Sequence, residues 1–349
     1  IKVYKGNGSN NTTALSGLYT RTNNADVNST DFTGNNISLL YTDFEYNKDV
    51  FTNGVPTVNA VVKGKKVYDP RKDSTSDAYD ASLGVSTHRK TNESTWEYSN
   101  NPALCILDYL TQDHGLNTGY DEIDDVEWAT EADICEEQVT EYSVGQAVWI
   151  NDRYNLNGVF TRDMAPQEII PAMLSSCAGS LFYAQGKWVL RVGEYRTPIS
   201  PVFDESDLRG PMSVDTKTSR RDLYNSVTGK VSAEFDFTDP STSSEIDFIP
   251  TDYPMITSSA LETEDGGTRN TLELPLPFTT DLLQAQRIAK QTLFRTREQI
   301  VVSARFGLKA FQARVGDNIK LTNSRMGWNE KVFEVVSWKF AYGEGAALE

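Results

Sequence analysis

The sequence predicts an α+β fold that is rich in β-structure, with an α+β module followed by a barrel or a sandwich. Three observations lead to this class. Helix caps followed by apolar side chains at helical spacing occur between residues 99 and 195. Short alternating runs and tight-turn sequences lie on both sides of the helices. Beyond residue 200, several strand patterns accompany one helical pattern, which favours a barrel or a sandwich.

Residues 1–98 are the first predicted domain, a β-rich part with polar loops and a hairpin. Residues 1–53 are rich in Asn, Thr, Ser and Asp, and the alternation from Ile37 to Tyr41 predicts a short strand. Residues 58–68 alternate strand formers around Lys63-Gly64-Lys65, a pattern typical of a tight hairpin. Asp69-Pro70-Arg71 then predicts an extended exit from that hairpin.

Residues 99–200 are the predicted α+β module. Asn101-Pro102 predicts a capped helix that ends at Gly115. Asp124 and Glu127 predict a capping-box-like start for a second helix, and Tyr154 to Thr161 predicts a strand. Four apolar residues are assigned to the second helix. They are Val126, Ala129, Ile134 and Val139.

The module closes with a third helix and a hairpin. The helix starts at Pro166, is kinked or shortened by Pro171, and is capped by Gly179. Residues 181–192 predict a hairpin that turns at Gln185-Gly186-Lys187.

Residues 201–345 are predicted to form a β-barrel-like domain with one helix, from Asp281 to Arg297. Residues 346–349 are expected to be a tail or a remnant of a cloning vector. The predicted strands of this domain are residues 212–233, 271–276, 299–308, 314–322 and 331–342.

Composition excludes several classes of function. Lys and Arg number 33 against 49 Asp and Glu, a formal charge of -16, so the basic footprint of a nucleic-acid-binding protein is absent. Three widely spaced cysteines, Cys105, Cys135 and Cys177, predict buried free thiols rather than disulfides. The sequence contains no run of about twenty apolar residues and no secretory signal, so we expect a soluble, non-secreted protein without a membrane span.

Motifs for catalysis, metals and nucleotides are also absent from the sequence. The two histidines, His88 and His114, are too few for a transition-metal centre or a convincing triad, and we expect both on the surface or in loops. No phosphate-binding glycine loop occurs. We therefore predict no catalytic residue, no cofactor and no metal.

Two groups of side chains leave an alternative open. Asp121, Glu122, Asp124 and Asp125 have the oxygen ligands that calcium prefers, but their spacing argues against an EF-hand, and capping of the second helix explains them without a ligand. The plentiful carboxylates and aromatic residues are compatible with a glycan site, although packing explains the aromatic ones. The aromatic residues in question are Trp96, Tyr98, Trp128, Trp149, Trp188, Trp328 and Trp338.

From residue 54 onward the chain carries an ordered series of sequence motifs that resemble those of a known protein family. The motifs that carry the resemblance follow in order along the chain. They are Gly54-Val55-Pro56-Thr57, Val61-Val62-Lys63-Gly64-Lys65-Lys66-Val67-Tyr68-Asp69-Pro70-Arg71, Thr95-Trp96-Glu97-Tyr98-Ser99-Asn100-Asn101-Pro102-Ala103, Leu107-Asp108-Tyr109-Leu110, Arg153-Tyr154-Asn155-Leu156-Asn157-Gly158, residues 173–179, Gly186-Lys187-Trp188, Asp207-Leu208-Arg209-Gly210-Pro211, Ser219-Arg220-Arg221-Asp222-Leu223-Tyr224-Asn225, Ala285-Gln286-Arg287-Ile288-Ala289-Lys290, Val315-Gly316-Asp317-Asn318-Ile319-Lys320-Leu321, Trp328 and Phe333-Glu334-Val335.

These motifs resemble those of the tail tip attachment proteins of lambda-like phages and of related tail hub proteins of prophages and gene transfer agents. The resemblance implies a structural hub at the tip of a phage tail, built from β-barrel domains joined by an α+β module and without enzymatic activity. Such a hub is a homotrimeric ring in the virion that binds other tail proteins, contacts a host receptor and lets DNA pass without binding it. Residues 1–53 fall outside the resemblance. A glycan-binding adhesin or glycan hydrolase that acts on the host envelope is the alternative hypothesis, and a monomeric accessory assembly module is the third.

Overall fold

The computed structural model describes residues 2–4, 39–41, 62–142, 148–199, 201–217, 219–236, 246–341 and 345–348. The chain divides into two units, residues 1–61 and 62–349. In the first unit, strand β1 (Lys2–Tyr4) pairs antiparallel with β2 (Leu39–Tyr41), which lies inside the predicted alternation. The other predictions for residues 1–53 fall outside the described residues, as does the first half of the predicted hairpin around Gly64.

The described part of the second unit combines five α-helices with many short strands, which confirms the α+β, β-rich class. The helices are α1 (Pro102–Thr111), α2 (Asp125–Glu136), α3 (Pro166–Ser175), α4 (Ser259–Glu264) and α5 (Leu282–Arg295).

Four two-stranded pairs surround the helices. They are β3 (Lys66–Val67) with β4 (Glu97–Tyr98), β5 (Gln138–Tyr142) with β6 (Val148–Asp152), β7 (Ser180–Ala184) with β8 (Lys187–Arg191), and β12 (Lys230–Asp236) with β13 (Ile246–Asp252).

Three larger sheets hold the remaining strands. The first has the order β14 (Ile256–Thr257), β11 (Ser226–Thr228), β15 (Thr271–Glu273). The second has the order β18 (Trp328–Glu334), β17 (Asn318–Asn323), β9 (Val202–Phe203). The third has the order β10 (Ser213–Asp215), β16 (Val301–Phe306), β20 (Gly345–Leu348), β19 (Trp338–Ala341). None of these sheets, as described, closes on itself, and the β-barrel stays a prediction.

Helix α1 begins where the sequence predicts. The Asn101 side chain accepts the Ala103 N–H at 3.0 Å, and Pro102 occupies the first helical position. The helix ends at Thr111 rather than at Gly115, because the chain turns back and the Leu116 N–H donates to the Tyr109 carbonyl. Gly115 lies in this turn, so close to the helix that a Cβ atom would stand 1.7 Å from the Tyr109 oxygen.

The start of α2 is also confirmed, since Asp124 accepts the N–H groups of Val126 and Glu127. The predicted apolar face is wrong in two places. Val126 is half exposed, and Val139 lies in β5 rather than in the helix. The buried face of α2 is instead formed by Trp128, Ala129, Glu131, Ala132 and Cys135.

Helix α3 starts at Pro166 as predicted and continues for four residues beyond Pro171. Its predicted cap at Gly179 is displaced by one residue. Ala178 takes the left-handed conformation at φ 48°, and the Gly179 N–H then donates to the Leu174 carbonyl at 3.0 Å. The following hairpin is confirmed, because Gln185 and Gly186 both have positive φ, as a type I′ turn requires.

The strand predicted for residues 154–161 is wrong; this segment is irregular. Its backbone N–H groups bond to three separate parts of the fold instead of to one strand. Tyr154 donates to the Cys135 carbonyl, Leu156 to that of Asn100, and Asn157 to that of Phe278. Because these N–H groups bond to three different elements, they are not available for the hydrogen bonds of a strand in one sheet.

Beyond residue 200, α5 follows its predicted Asp281 cap, whose side chain accepts the Leu283 N–H. The prediction of a single helix there is wrong because α4 is a second one. Strands β9, β13 and β14 were not predicted. Residues 345–348, most of which were assigned to a tail, form strand β20 between β16 and β19.

Two hydrophobic cores organise the second unit. The first runs from Val67 to Leu293 and packs α1, α2, α3 and α5 against the hairpins. The second gathers residues of β9, β16, β17 and the turn before β17, including Phe203, Phe306 and Leu321. The first core contains residues from both sides of positions 98 and 200. The domain boundaries predicted at these positions stay predictions.

We expect Gly115→Ala to lower the free energy of unfolding by about 3 kcal/mol, because the new methyl group collides with the Tyr109 carbonyl. Gly64→Ala is the matched control, since a Cβ atom there meets nothing within 4 Å, and its effect should stay within about 0.5 kcal/mol. Urea denaturation measures both. Equal effects of the two substitutions would contradict the close approach.

Candidate functional site

The junction between the two cores is built around a buried carboxylate. Glu131 on α2 is 1% exposed and accepts three hydrogen bonds. The donors are the Val192 N–H at 2.9 Å, Arg196 Nη2 at 2.6 Å and Arg191 Nη1 at 3.4 Å. Burial raises the pKa of Glu131 above its ordinary value, while the amide and the two guanidinium groups oppose this rise.

The same network continues into the second core. Arg191 Nη2 lies 3.5 Å from Asp317 Oδ1 and 3.6 Å from Glu127 Oε1. Glu127 also accepts Arg314 Nη1 at 2.7 Å. Because Arg314 and Asp317 form the turn that leads into β17, these charges fix the second core against α2 and β8. Sequence reasoning missed Glu131 and its arginines, whose positions lie about sixty residues apart.

A cleft of about 590 Å³ opens beside this network. One wall carries Arg191 and Arg196, and the apolar floor includes Phe306, Ile319 and Val335. Two other cationic side chains that line the cleft, Arg295 and Lys331, have partners of their own: a carboxylate for Arg295 and two aromatic rings for Lys331. Arg295 Nη2 bonds to Glu334 at 2.6 Å, and Lys331 Nζ lies 5.5 Å from the Trp328 ring centroid and 5.7 Å from that of Phe333.

A second cavity, of about 330 Å³, lies beside the Tyr68-Asp69-Pro70-Arg71 motif. Arg71 is 3% exposed and lies between three carboxylates. Nε and Nη2 bond to Asp69, Nη1 and Nη2 bond to Glu136, and Nη1 also bonds to Asp133 at 2.8 Å. This motif therefore fastens the chain before β4 to the C-terminal end of α2.

Both histidines lie in loops, as the expectation of surface or loop positions allows, although one of them is buried. His88 is buried, at 1% exposure, and its Nδ1 accepts the Asp69 N–H at 3.1 Å. His114 is partly exposed, with Nε2 3.3 Å from Asp108 Oδ2. Among the described residues, the two histidines have no bonding partner in common, so the structure does not bring them into one site.

The acidic cluster at the start of α2 has structural partners. Asp124 caps the helix, and Asp125 Oδ2 accepts Ser76 Oγ at 2.8 Å and Lys90 Nζ at 2.7 Å. These contacts agree with the capping interpretation rather than with calcium binding. Within the described ranges, no group of three or more His, Cys, Asp or Glu side chains is placed to hold a metal ion.

The aromatic residues divide into packed and exposed groups. Trp96 and Trp128 are buried, and their Nε1 atoms donate to the carbonyls of Arg89 and Trp188. On the second core, three exposed residues and the partly buried Trp338 form a surface that we call the aromatic face. They are Leu308, Phe311, Trp338 and Phe340, with the Phe311 ring 5.2 Å from Trp338 and 5.3 Å from Phe340.

The thiols are free, as predicted; Cys135 and Cys177 are buried and Cys105 is partly buried. Burial raises the pKa of Cys105 and of Cys177 to about 12, so neither is ionised near neutral pH. In the part of the chain that the structure describes, no helix combines the length and the apolar character needed to cross a bilayer.

No protein-family model and no curated protein matches this chain. Two solved structures show partial similarity. A chain of the native gene transfer agent particle has a TM-score of 0.39 and 12% identity, covering 56% of this chain and 40% of that one. The 43 kDa tail protein of prophage MuSo2 from Shewanella oneidensis has a TM-score of 0.34 and 14% identity, covering 53% of each chain. This chain thus spans about half or less of either protein, and likenesses below a TM-score of 0.5 establish neither fold family nor function.

We expect Glu131→Gln to lower the free energy of unfolding by about 3 kcal/mol, because Arg191 and Arg196 lose their buried carboxylate. Glu334→Gln removes the same charge from a solvent-exposed pair with Arg295 and should cost no more than about 1 kcal/mol. Denaturant titrations at neutral pH compare the two. Similar costs would show that the Glu131 network does not hold the cores together.

Proposed function

We propose that this chain is a structural component of the tail of a long-tailed phage or a related particle, positioned as a hub at the tail end. The observation that carries the proposal is the ordered series of motifs shared with tail tip and tail hub proteins from residue 54 onward. In the proposed assembly, copies of the chain form a trimeric ring, bind other tail proteins and contact the host surface.

The positions of the shared motifs support a structural role for them. Asp69 and Arg71 form the buried charge network, and Asn101 caps α1. Gly316 adopts φ 86° at the turn before β17, and Asp317 reaches the Arg191 network. Each of these residues holds elements of the fold together, as expected if the motifs specify a shared architecture rather than a reaction.

The net charge is compatible with a channel for DNA. A protein with formal charge -16 repels phosphate, so DNA could pass its surface without being retained. The proposed role requires binding and no catalysis.

A glycan-binding adhesin or glycan hydrolase remains the alternative. This hypothesis rests on the large number of carboxylates and tryptophans in the sequence. Trp96 and Trp128 are buried, however, and neither the 590 Å³ cleft nor the 330 Å³ cavity has a tryptophan in its lining. The hub is therefore the function we favour.

Immunogold electron microscopy tests the proposed location. An antibody raised against this chain should label the tail end of the particles that carry its gene, and antibody pre-absorbed with the purified chain should not. Label on the capsid, or particles without label, would contradict the hub. Release of sugars from host envelope preparations by the purified chain would favour the hydrolase instead.

We expect the aromatic face to contribute to contacts between subunits, because large apolar side chains are exposed there together. Leu308 is 77% exposed and Phe340 49%, so Leu308→Ser with Phe340→Ser should leave the fold intact. The double variant should weaken self-association at least about tenfold. Sedimentation velocity over a concentration series measures this change.

Val159→Ser is the matched control, since Val159 is 89% exposed and outside the aromatic face. It should leave self-association unchanged. A wild-type chain that stays monomeric throughout the series, or an equal loss in the control, would contradict this contact.

A further inference from the structure

Residues 69–95 form a strap that lies along α2. Their regular structure consists of three short 3-10 turns, Pro70–Lys72, Ala81–Leu83 and Glu93–Thr95, and one isolated antiparallel bridge between Asp73 and Thr87. Side chains fasten the segment to α2. Ser76 and Lys90 bind Asp125 in the first turn of α2, and Arg71 binds Asp133 and Glu136 in its last turns. The strap is thus fastened at both ends of one helix.

His88 belongs to this strap and lies next to its main anchor. Its Nδ1 accepts the N–H of Asp69, the residue whose carboxylate grips Arg71. An imidazole nitrogen that accepts a hydrogen bond carries no proton, so the neutral ring holds its proton on Nε2. That atom is buried, has no hydrogen-bond partner among the described residues, and borders the 330 Å³ cavity.

The charged groups that face His88 come from two elements. Asp69, Lys72 and Asp73 belong to the first turn of the strap, and Glu97 belongs to β4. Glu97 Oε2 lies 3.9 Å from His88 Nε2 and is already bonded to Lys72 Nζ at 2.7 Å. Burial lowers the pKa of His88 below its ordinary value, and the nearby carboxylates only partly offset this effect.

We propose that His88 is a pH-sensitive latch whose protonation at Nδ1 releases the Asp69 N–H and loosens the strap from α2 under mildly acidic conditions. One proton is taken up from solvent, and the imidazolium then presents N–H to a backbone N–H. This repulsion acts on the residue that positions Arg71, so the whole anchor is weakened. The latch is independent of the proposed tail function.

The direction of the pH dependence follows from the lowered pKa. In the unfolded chain, or with the strap open, His88 titrates near about 6.5, so below that pH the open state binds more protons than the closed state. The stabilisation of the closed strap is therefore complete above about pH 6.5 and declines as the pH falls from there towards the pKa of the closed state.

Hydrogen–deuterium exchange of the full chain tests this latch at pH 7.5 and 5.0, with rates corrected for intrinsic exchange. Peptides from residues 69–95 should lose about tenfold in protection at the lower pH, the factor for one lost buried hydrogen bond. Peptides from the β7–β8 hairpin should lose less. An equal loss in both regions would overturn the latch.

Two substitutions of His88 distinguish the effect of its own protonation from the effect of protonating the nearby carboxylates. His88→Asn keeps an oxygen acceptor near the Nδ1 position and cannot titrate, so the strap should stay protected at both pH values. His88→Ala removes the acceptor, so protection should be low at both. His114→Asn should keep the wild-type pH effect. If His88→Asn loses protection with acid as the wild type does, the latch is wrong.

Because the chain has only two histidines, imidazole ¹⁵N NMR reports the tautomer directly. The latch requires the Nε2–H tautomer of His88 at pH 7.5 and a titration that follows the loss of strap protection. The Nδ1–H tautomer, which cannot accept the Asp69 N–H, would overturn it.

Discussion

The arrangement of the first core depends on the buried guanidinium of Arg71. Its five N–H bonds are all used, two on Asp69, two on Glu136 and one on Asp133. Glu136 also accepts the Asn101 side chain that caps α1. Burial disfavours the charge, but the carboxylates of Glu136 and Asp69 raise the pKa of Arg71 above its ordinary value. A buried charge is tolerated only when it is satisfied in this way, so the strap, α1 and α2 must keep one relative position.

The same device recurs at the junction of the two cores, with the charges reversed. There a buried carboxylate, Glu131, is satisfied by two arginines and a backbone amide. Arg191 then reaches Asp317 of the second core. In both places, a motif singled out in the sequence supplies a residue of the network, Arg71 in one and Asp317 in the other. Conversely, a fully bonded Arg71 has no N–H left for a ligand.

Local signals in the sequence predicted the local structure well. Asn101, Asp124 and Asp281 each cap the helix that their position predicts, because a cap bonds within three residues of itself. The type I′ turn at Gln185 and Gly186 is predictable for the same reason. The α+β class follows from these elements, whereas neither the closure of the sheets nor their order does.

Features that depend on distant partners were not predictable. Residues 154–161 alternate like a strand, yet their N–H groups are taken by Cys135, Asn100 and Phe278. His88 carries no sequence signal of burial, and Arg71 finds Glu136 65 residues away. Such pairs are recognised only when the fold brings them together. The exposure of the Val126 side chain likewise follows from how α2 packs, and the apolar character of valine does not predict it.

The Asp69-Pro70-Arg71 motif fastens the fold through the buried ion pair of Arg71 and Glu136. A double-mutant cycle with Arg71→Met and Glu136→Gln measures that pair directly, from the free energies of unfolding of the wild type, both single variants and the double variant. We predict a coupling energy of about 2 kcal/mol, as expected for directly bonded buried charges. A coupling within about 0.3 kcal/mol of zero would mean that the two residues act independently and that the motif has another role.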